Sequence, residues 1–289
     1  MKLSAAIIAK NEEAVIKDCL DSVSWFDEIV LVDTGSEDRT VEIAAAYPNC
    51  RVFTDYKWND DFAEARNHAL SKATGDWVMQ IDADHKLVTA EAIVRQQVET
   101  MDKTGDVVAS IKLTHEPSKQ SHNGAWLFKR SPDIFYVGAI HEVLSATSTH
   151  MTPIEQFYNK SPSHQRDPDR NLRILRKALP TPRTRFYLGR ELYERGEHAE
   201  AILHMGEYLK QGRWLPEICE AHLTLARCHW VLGDGNSARA SALEAVRNNP
   251  MFKEALLFMA ELHYEPWKSR WGKLAAAANN DDVLFVRVQ

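Results

Sequence analysis

The sequence predicts an α/β domain built on a mostly parallel sheet, followed by an all-α domain of repeated helix pairs. Three observations carry this prediction. Apolar runs of strand length alternate with helix-periodic stretches up to about residue 160. From about Asp169 onward Ala, Leu, Glu and Arg take over. That second half also repeats itself, with Ala221 falling on Ala255 at a shift of 34 residues.

Leu3 to Ala9 reads as the first strand, and Ala14, Ile16, Cys19, Leu20 and Val23 then recur at helical spacing. Glu28 to Asp33 is the second apolar run. Thr34-Gly35-Ser36 closes it, with Ser36 or Asp38 placed to cap a helix carrying Val41, Ile43 and Ala44. Arg51 to Phe53 gives a short third strand. Trp58 to Asn67 offers an acidic, cap-like start to a helix whose Phe62, Ala65, Ala69 and Leu70 face the core, leaving Arg66 and Asn67 semi-buried. Trp77 to Ile81 is the fourth strand, with Asp82 and Asp84 at its carboxyl end, the rim where ligands collect in parallel sheets.

Pro162, Pro168, Pro180 and Pro182 punctuate the change of texture. The α/β domain is therefore expected over 1–160, a boundary region with a helix from Pro168 to Leu179 over 161–183, helical repeats over 184–272 and a tail over 273–289. In the repeats Leu223 also falls on Leu257, Ala226 on Ala260, Cys228 on Leu262 and Trp230 on Tyr264; an earlier copy sets Leu188 on Leu225, Gly196 on Gly233 and Ala201 on Ala238. Small residues at helix crossings plus a Gly turn form the tetratricopeptide pattern, although the Asp234-Gly235-Asn236 turn is longer than that pattern expects. An irregular helical bundle is the alternative. Such arrays present concave surfaces suited to a protein or peptide, or to a second copy of the chain. Trp214, Trp230, Trp267 and Trp271 are expected to pack between helices or to serve as contacts there. The tail from Asp282 to Val288 alternates like a strand, either pairing with an edge of the first domain or ending as an ordered terminus.

With 289 residues, 44% hydrophobic and 26% charged, the chain has material for two cores. A net charge of −6 argues against a protein built mainly to hold nucleic acid. The first apolar run is too short for a signal peptide, and no stretch approaches the roughly 20 apolar residues of a membrane span. Cys19, Cys50, Cys219 and Cys228 lack Cys-x-x-Cys spacing, so a reducing, cytoplasmic setting is expected.

The chemistry concentrates at Asp82-Ala83-Asp84. Side chains at i and i+2 of a strand share a face, so the two carboxylates can bind one hard divalent cation, which commonly neutralises phosphate oxygens. The alternative is a solvated turn. Asp33 ends the second strand at the same rim, where it can accept from a nucleobase N–H or ribose hydroxyls, or satisfy the turn at Gly35. Arg66 can fork onto a diphosphate or a base carbonyl, or pair internally with Asp60 or Asp82.

Ile7 through Glu13, Val32 through Thr40, Trp58 through Asn67 and Ala73 through Asp84 together resemble the family 2 glycosyltransferases of the GT-A fold, which use nucleotide-diphosphate sugars. The likeness covers roughly the first 145 residues, and the appended repeats resemble the tetratricopeptide-containing members. It implies a Rossmann-like sheet, a UDP-sugar donor and Mn2+ or Mg2+ as cofactor. By the same resemblance Ala9, Lys10, Asn11 and Glu12 would line the base and ribose pocket, and Asp33 would contact the base. Arg66 would reach the base or diphosphate, Asp82 would sit near ribose and metal, and Asp84 would ligate the metal.

Phe135 through Glu142 resembles the Gly-x-Ile-His-Glu segment of this subgroup. His141 would then complete the metal shell, and Glu142 would deprotonate the acceptor in a single in-line displacement with inversion. The acceptor would be a protein, a peptide or a glycan. The chain departs from the wider family in lacking its Glu-Asp base motif and its Gln-x-x-Arg-Trp motif, which disfavours processive synthesis. Glu116 and Asp133 are other base candidates, and Lys129 and Arg130 either assist phosphates or are surface charges.

Two rival functions are defined by the same residues. A nucleotidyltransferase usually has a Gly-rich phosphate loop after its first strand, and Lys10-Asn11-Glu12-Glu13 is not one. A non-catalytic repeat scaffold with a relic nucleotide-sugar domain would not require Asp82, Asp84, Asp33, Arg66 and His141 together.

Overall fold

The structure, a computed structural model, describes residues 1–116, 118–148, 150–158, 161–162 and 167–278. The expected strand from Asp282 to Val288 lies outside them. The chain divides into two compact units between Arg170 and Asn171, a point inside the stretch 161–183. No helix among the described residues is long and apolar enough to cross a membrane.

The first unit is built on an eight-stranded sheet. Its strands are β1 (Leu3–Ala9), β2 (Glu28–Asp33), β3 (Cys50–Phe53), β4 (Trp77–Gln80), β5 (His85–Leu87), β6 (Val108–His115), β7 (Ser121–Lys129) and, after a two-stranded ribbon of β8 (Tyr136–Val137) with β9 (Val143–Leu144), β10 (His150–Tyr158). The order is β3-β2-β1-β4-β7-β6-β10-β5. The ladders are parallel from β3 to β4. Beyond it β7 runs antiparallel to both neighbours, β10 pairs parallel with β6, and β5 runs antiparallel to β10.

Burial explains why the parallel half was readable. β2 and β4 are buried at every position, as strands covered on both faces must be. One face packs Leu3, Ile7, Leu31 and Met79 against α1 (Ile16–Val23) and α4 (Glu91–Thr104); the other packs Val30, Val32 and Val78 against Ala63 and Ala69 of α3 (Phe62–Lys72). A fourth helix, α2 (Thr40–Ala45), follows the loop after β2.

Helix ends differ from the sequence reading in ways that matter for the site. Neither Ser36 nor Asp38 is the N-cap of α2; Arg39 is, while Asp38 accepts from Thr40 N at 3.0 Å. Asp61 does cap α3, accepting from Glu64 N at 2.8 Å. Phe62 and Leu70 are only half-buried, whereas Arg66 is buried among the alanines of that helix.

The second unit is helical: α5 (Arg170–Lys177), whose first residue still belongs to the first unit, then α6 (Pro182–Glu194) against α7 (His198–Leu209), α8 (Leu215–Val231) against α9 (Gly235–Asn248), and α10 (Lys253–Glu261) against α11 (Trp267–Ala277). Fully buried Ala201, Ala238, Ala242, Ala245 and Ala255 let the helix backbones approach closely. Gly196 and Gly233, at φ of 79° and 82°, end α6 and α8 in the left-handed region that favours glycine. Asp234 caps α9 through Ser237 N, so Gly235 and Asn236 already belong to the helix and the turn is shorter than the sequence suggested. Trp214, Trp230 and Trp267 are about half exposed, at 51%, 49% and 53%, and only Trp271 packs on the core.

Candidate functional site

Two loops at the carboxyl ends of β1 and β2 are stitched together by short side chains. Asn11 N donates to Ser36 Oγ at 2.8 Å, Glu37 N to Asn11 Oδ1 at 2.7 Å, and Glu12 N to Thr40 Oγ1 at 2.7 Å. Asn11 holds φ of 57°, a left-handed value that asparagine tolerates. Asp33 is buried and accepts from Gly35 N at 3.1 Å and Ser36 N at 3.0 Å. Its carboxylate thus builds the turn, and the neighbouring Thr34 lines the cleft.

Asp82 and Asp84 are not on a strand. The β1/β4 ladder ends at Ala6 and Gln80, with Ile81 N donating to Ala6 O; β1 itself runs on to Ala9 beside β2, while the chain leaves β4 after Gln80. The two aspartates occupy the following turn, closed by His85 N on Asp82 O at 2.9 Å. The i, i+2 strand-face argument therefore does not describe them; a turn presents them.

Arg66 gathers the site. Its Nη1 donates to Asp82 Oδ1 at 2.7 Å and its Nε to Glu142 Oε1 at 2.5 Å, while the guanidinium lies 5.8 Å from the Tyr136 ring centre. Burial alone would ease its deprotonation, but the charges of Asp82 and Glu142 outweigh it and push the pKa up, so Arg66 is held as a cation. The pairing with Asp82 is one of the two internal partners the sequence offered. Asp60 accepts instead from Trp58 Nε1 at 3.1 Å.

Glu142 reaches Arg66 because α3 fixes the distant loop. Asn67 clamps Tyr136 by both backbone groups, at 2.9 and 2.8 Å, and Phe62 N donates to Ala139 O at 2.8 Å. The chain turns through Gly138, between these anchors, and through His141, just beyond them, at φ of 97° and 52°. A left-handed histidine is uncommon and such strain clusters at functional loops. His141 itself is exposed.

A cleft of about 420 Å³ is lined by Ala9, Lys10, Asn11 and Glu12, by Arg66, Asp82 and Asp84, and by residues the sequence had not assigned there, while Asp33, His141 and Glu142 lie outside its lining. Phe62 turns into the cleft in edge contact with Trp58 at 4.9 Å, and Arg170 sits 5.1 Å over the Phe62 ring. Asp167 and Arg170 come from the stretch read as a boundary, where the charges of Asp167, Asp169 and Arg170 were the available signal. Glu116 and Asp133 are exposed and do not line it. Lys129 pairs with Asp102 at 2.7 Å and Arg130 Nε donates to Gly75 O at 2.8 Å, and neither lines the cleft.

The cleft walls carry five carboxylates (Glu12, Glu37, Asp82, Asp84, Asp167) against three cations (Lys10, Arg66, Arg170). Arg66 is already shared between Asp82 and Glu142. A diphosphate entering such a wall is repelled unless a further cation accompanies it, and hard carboxylate oxygens suit Mg2+ or Mn2+. The donor set therefore fits a divalent ion, although among the described residues no three His, Cys, Asp or Glu side chains already stand in a metal-holding arrangement.

Comparison with known proteins matches residues 4–152 to the family described as glycosyl transferase family 2. A TPR repeat-containing protein of Synechococcus elongatus is 33% identical over 68% of this chain and 45% of its own length. The SPbeta prophage-derived glycosyltransferase SunS of Bacillus subtilis is 30% identical over 72% of this chain and 52% of its own. The chain thus spans about half the length of these curated relatives. Among solved structures, S. aureus TarS 1-349 in complex with UDP-GlcNAc aligns over 86% of this chain and 92% of its own, with a TM-score of 0.52 at 14% identity, a likeness of fold.

Proposed function

Because the chain belongs to glycosyl transferase family 2, we propose that it moves a sugar from a nucleotide-diphosphate donor of the UDP class to a protein, peptide or glycan acceptor. The observation that carries this reading is the Arg66 bridge, which ties Asp82 in the cleft to Glu142 on a separate loop. The acidic cleft beside Lys10, Asn11 and Glu12 supports it, and the UDP-GlcNAc in the TarS structure motivates the uridine donor.

Asp82 and Asp84 would hold Mn2+ or Mg2+, with His141 as the further ligand that the resemblance implies; when bound, the ion supplies positive charge to the departing diphosphate. Asn11, Glu12 and the Asp33 turn shape the base and ribose end of the cleft. Glu142 acts as the base. With Oε1 held by Arg66, Oε2 takes the proton of the acceptor as its nucleophilic atom attacks the anomeric carbon opposite the diphosphate, inverting that centre.

Glu142 could instead serve only as a counter-ion for Arg66, and the variant Glu142→Gln separates the roles. As a base, its loss keeps UDP affinity and lowers UDP release from the matching UDP-sugar by about 100-fold or more. As a counter-ion, its loss lowers the melting temperature and UDP affinity instead. A wild-type chain with no affinity for any nucleotide would favour the scaffold reading.

A further inference from the structure

Resting on the cation reading of this cleft, we propose that His85 is a ligand of the ion held by Asp82 and Asp84. His85 directly follows the aspartate pair and opens β5, whose register sets it opposite Tyr158 of β10. Its imidazole is thus placed by a strand, and only 9% of the residue is exposed.

The hydrogen bonds fix which way the ring faces. Gln156 is fully buried, and its Nε2 donates to Gln80 O at 3.3 Å, which leaves its Oε1 toward His85 Nδ1 at 3.0 Å. An amide oxygen only accepts, so Nδ1 is the donor. The other nitrogen, Nε2, is directed at the aspartates and stands 3.8 Å from Asp82 Oδ2 and 3.8 Å from Asp84 Oδ1. Both separations are too long for a hydrogen bond.

Such spans suit two ligands of one ion. With metal–ligand bonds of about 2.1 Å, two donors on one ion lie at most about 4.2 Å apart. Each of the two His85–aspartate spans lies within that limit. Metal-binding histidines also characteristically donate their other N–H to an oxygen that orients the ring, which is the part Gln156 plays. The Tyr158 ring, 5.6 Å away, packs beside the imidazole. A nitrogen ligand further implies a preference for a transition ion such as Mn2+ over Mg2+.

Pulsed EPR of Mn2+ on the full chain with UDP reads this directly, since a bound imidazole imprints 14N coupling on the ion. The wild type is expected to show that coupling. His85→Gln should lose or reduce it and weaken Mn2+ binding about 10-fold or more, whereas His141→Ala should retain the His85 contribution. Gln156→Met, close in size, should keep the coupling but bind Mn2+ about 10-fold more weakly. Full coupling in folded His85→Gln, or Mn2+ bound to the wild type without nitrogen coupling, would overturn the assignment alone. If His85→Gln does not fold, unchanged Mn2+ affinity in Gln156→Met overturns it. A wild type that binds no Mn2+ with UDP would remove the cation reading and this assignment together.

Discussion

Removing the Arg66 guanidinium would leave Asp82 and Glu142 as neighbouring carboxylates without their shared cation. Breaking a buried ion pair from one side costs about 3–5 kcal/mol, so Arg66→Ala should lower unfolding free energy by that order in urea titration. Unchanged stability would show that the bridge is not formed in solution. Asp82 was readable as a partner from the sequence because both residues belong to one motif-rich stretch. Glu142, 76 residues from Arg66, was not, since no local spacing reports a contact made by loop closure. The same limit hid Arg170 over Phe62, and Phe62 itself was assigned to the core because helical periodicity does not distinguish a core face from a cleft wall.

At the scale of elements, Glu28 locks the start of β2 to its neighbours. It accepts from Ser4 Oγ at 2.6 Å, Thr74 N at 2.8 Å and Arg51 Nη1 at 2.6 Å. Burial would raise its pKa, but these hydrogen bonds outweigh burial and lower it from 4.5 to about 2. A carboxylate whose pKa is depressed on folding stabilises the fold above its unfolded value and loses that contribution as pH falls through the folded one. Glu28 should therefore contribute on the order of 3 kcal/mol that disappears between pH 4.5 and about 2. Denaturant titrations should show Glu28→Gln less stable near neutrality and less sensitive to acid; an unchanged acid slope would contradict the clamp. β1, β2 and the Asp61 cap were legible because continuous apolar runs and capping chemistry are local signals. The antiparallel half was not. β5 has three residues and β7 is mostly exposed or half-exposed, so neither carries a strong hydrophobic pattern. The end of β4 was misplaced for a related reason: the apolar run continues through Ile81, but the chain leaves the ladder after Gln80 to enter the turn closed by His85 N on Asp82 O.

At the scale of the molecule, small residues and glycine turns made the helix pairs of the second unit readable, while the exposure of its tryptophans depended on which neighbours the helices met. We propose that this unit presents the acceptor, with half-exposed Trp214 and Trp230 as contact residues. Replacing both with alanine should slow transfer to the acceptor while leaving hydrolysis of the donor by water unchanged; equal loss of both reactions would reject that role. A cation-assisted nucleotide-sugar cleft is read out by thermal shift with UDP, with and without Mn2+, on the wild type and Asp84→Ala. The wild type should be stabilised by about 2.7 kcal/mol at a hundredfold excess over Kd, dependent on Mn2+ and lost in Asp84→Ala. Stabilisation by UDP that is equal without Mn2+, or no stabilisation of the wild type by UDP at all, would contradict it.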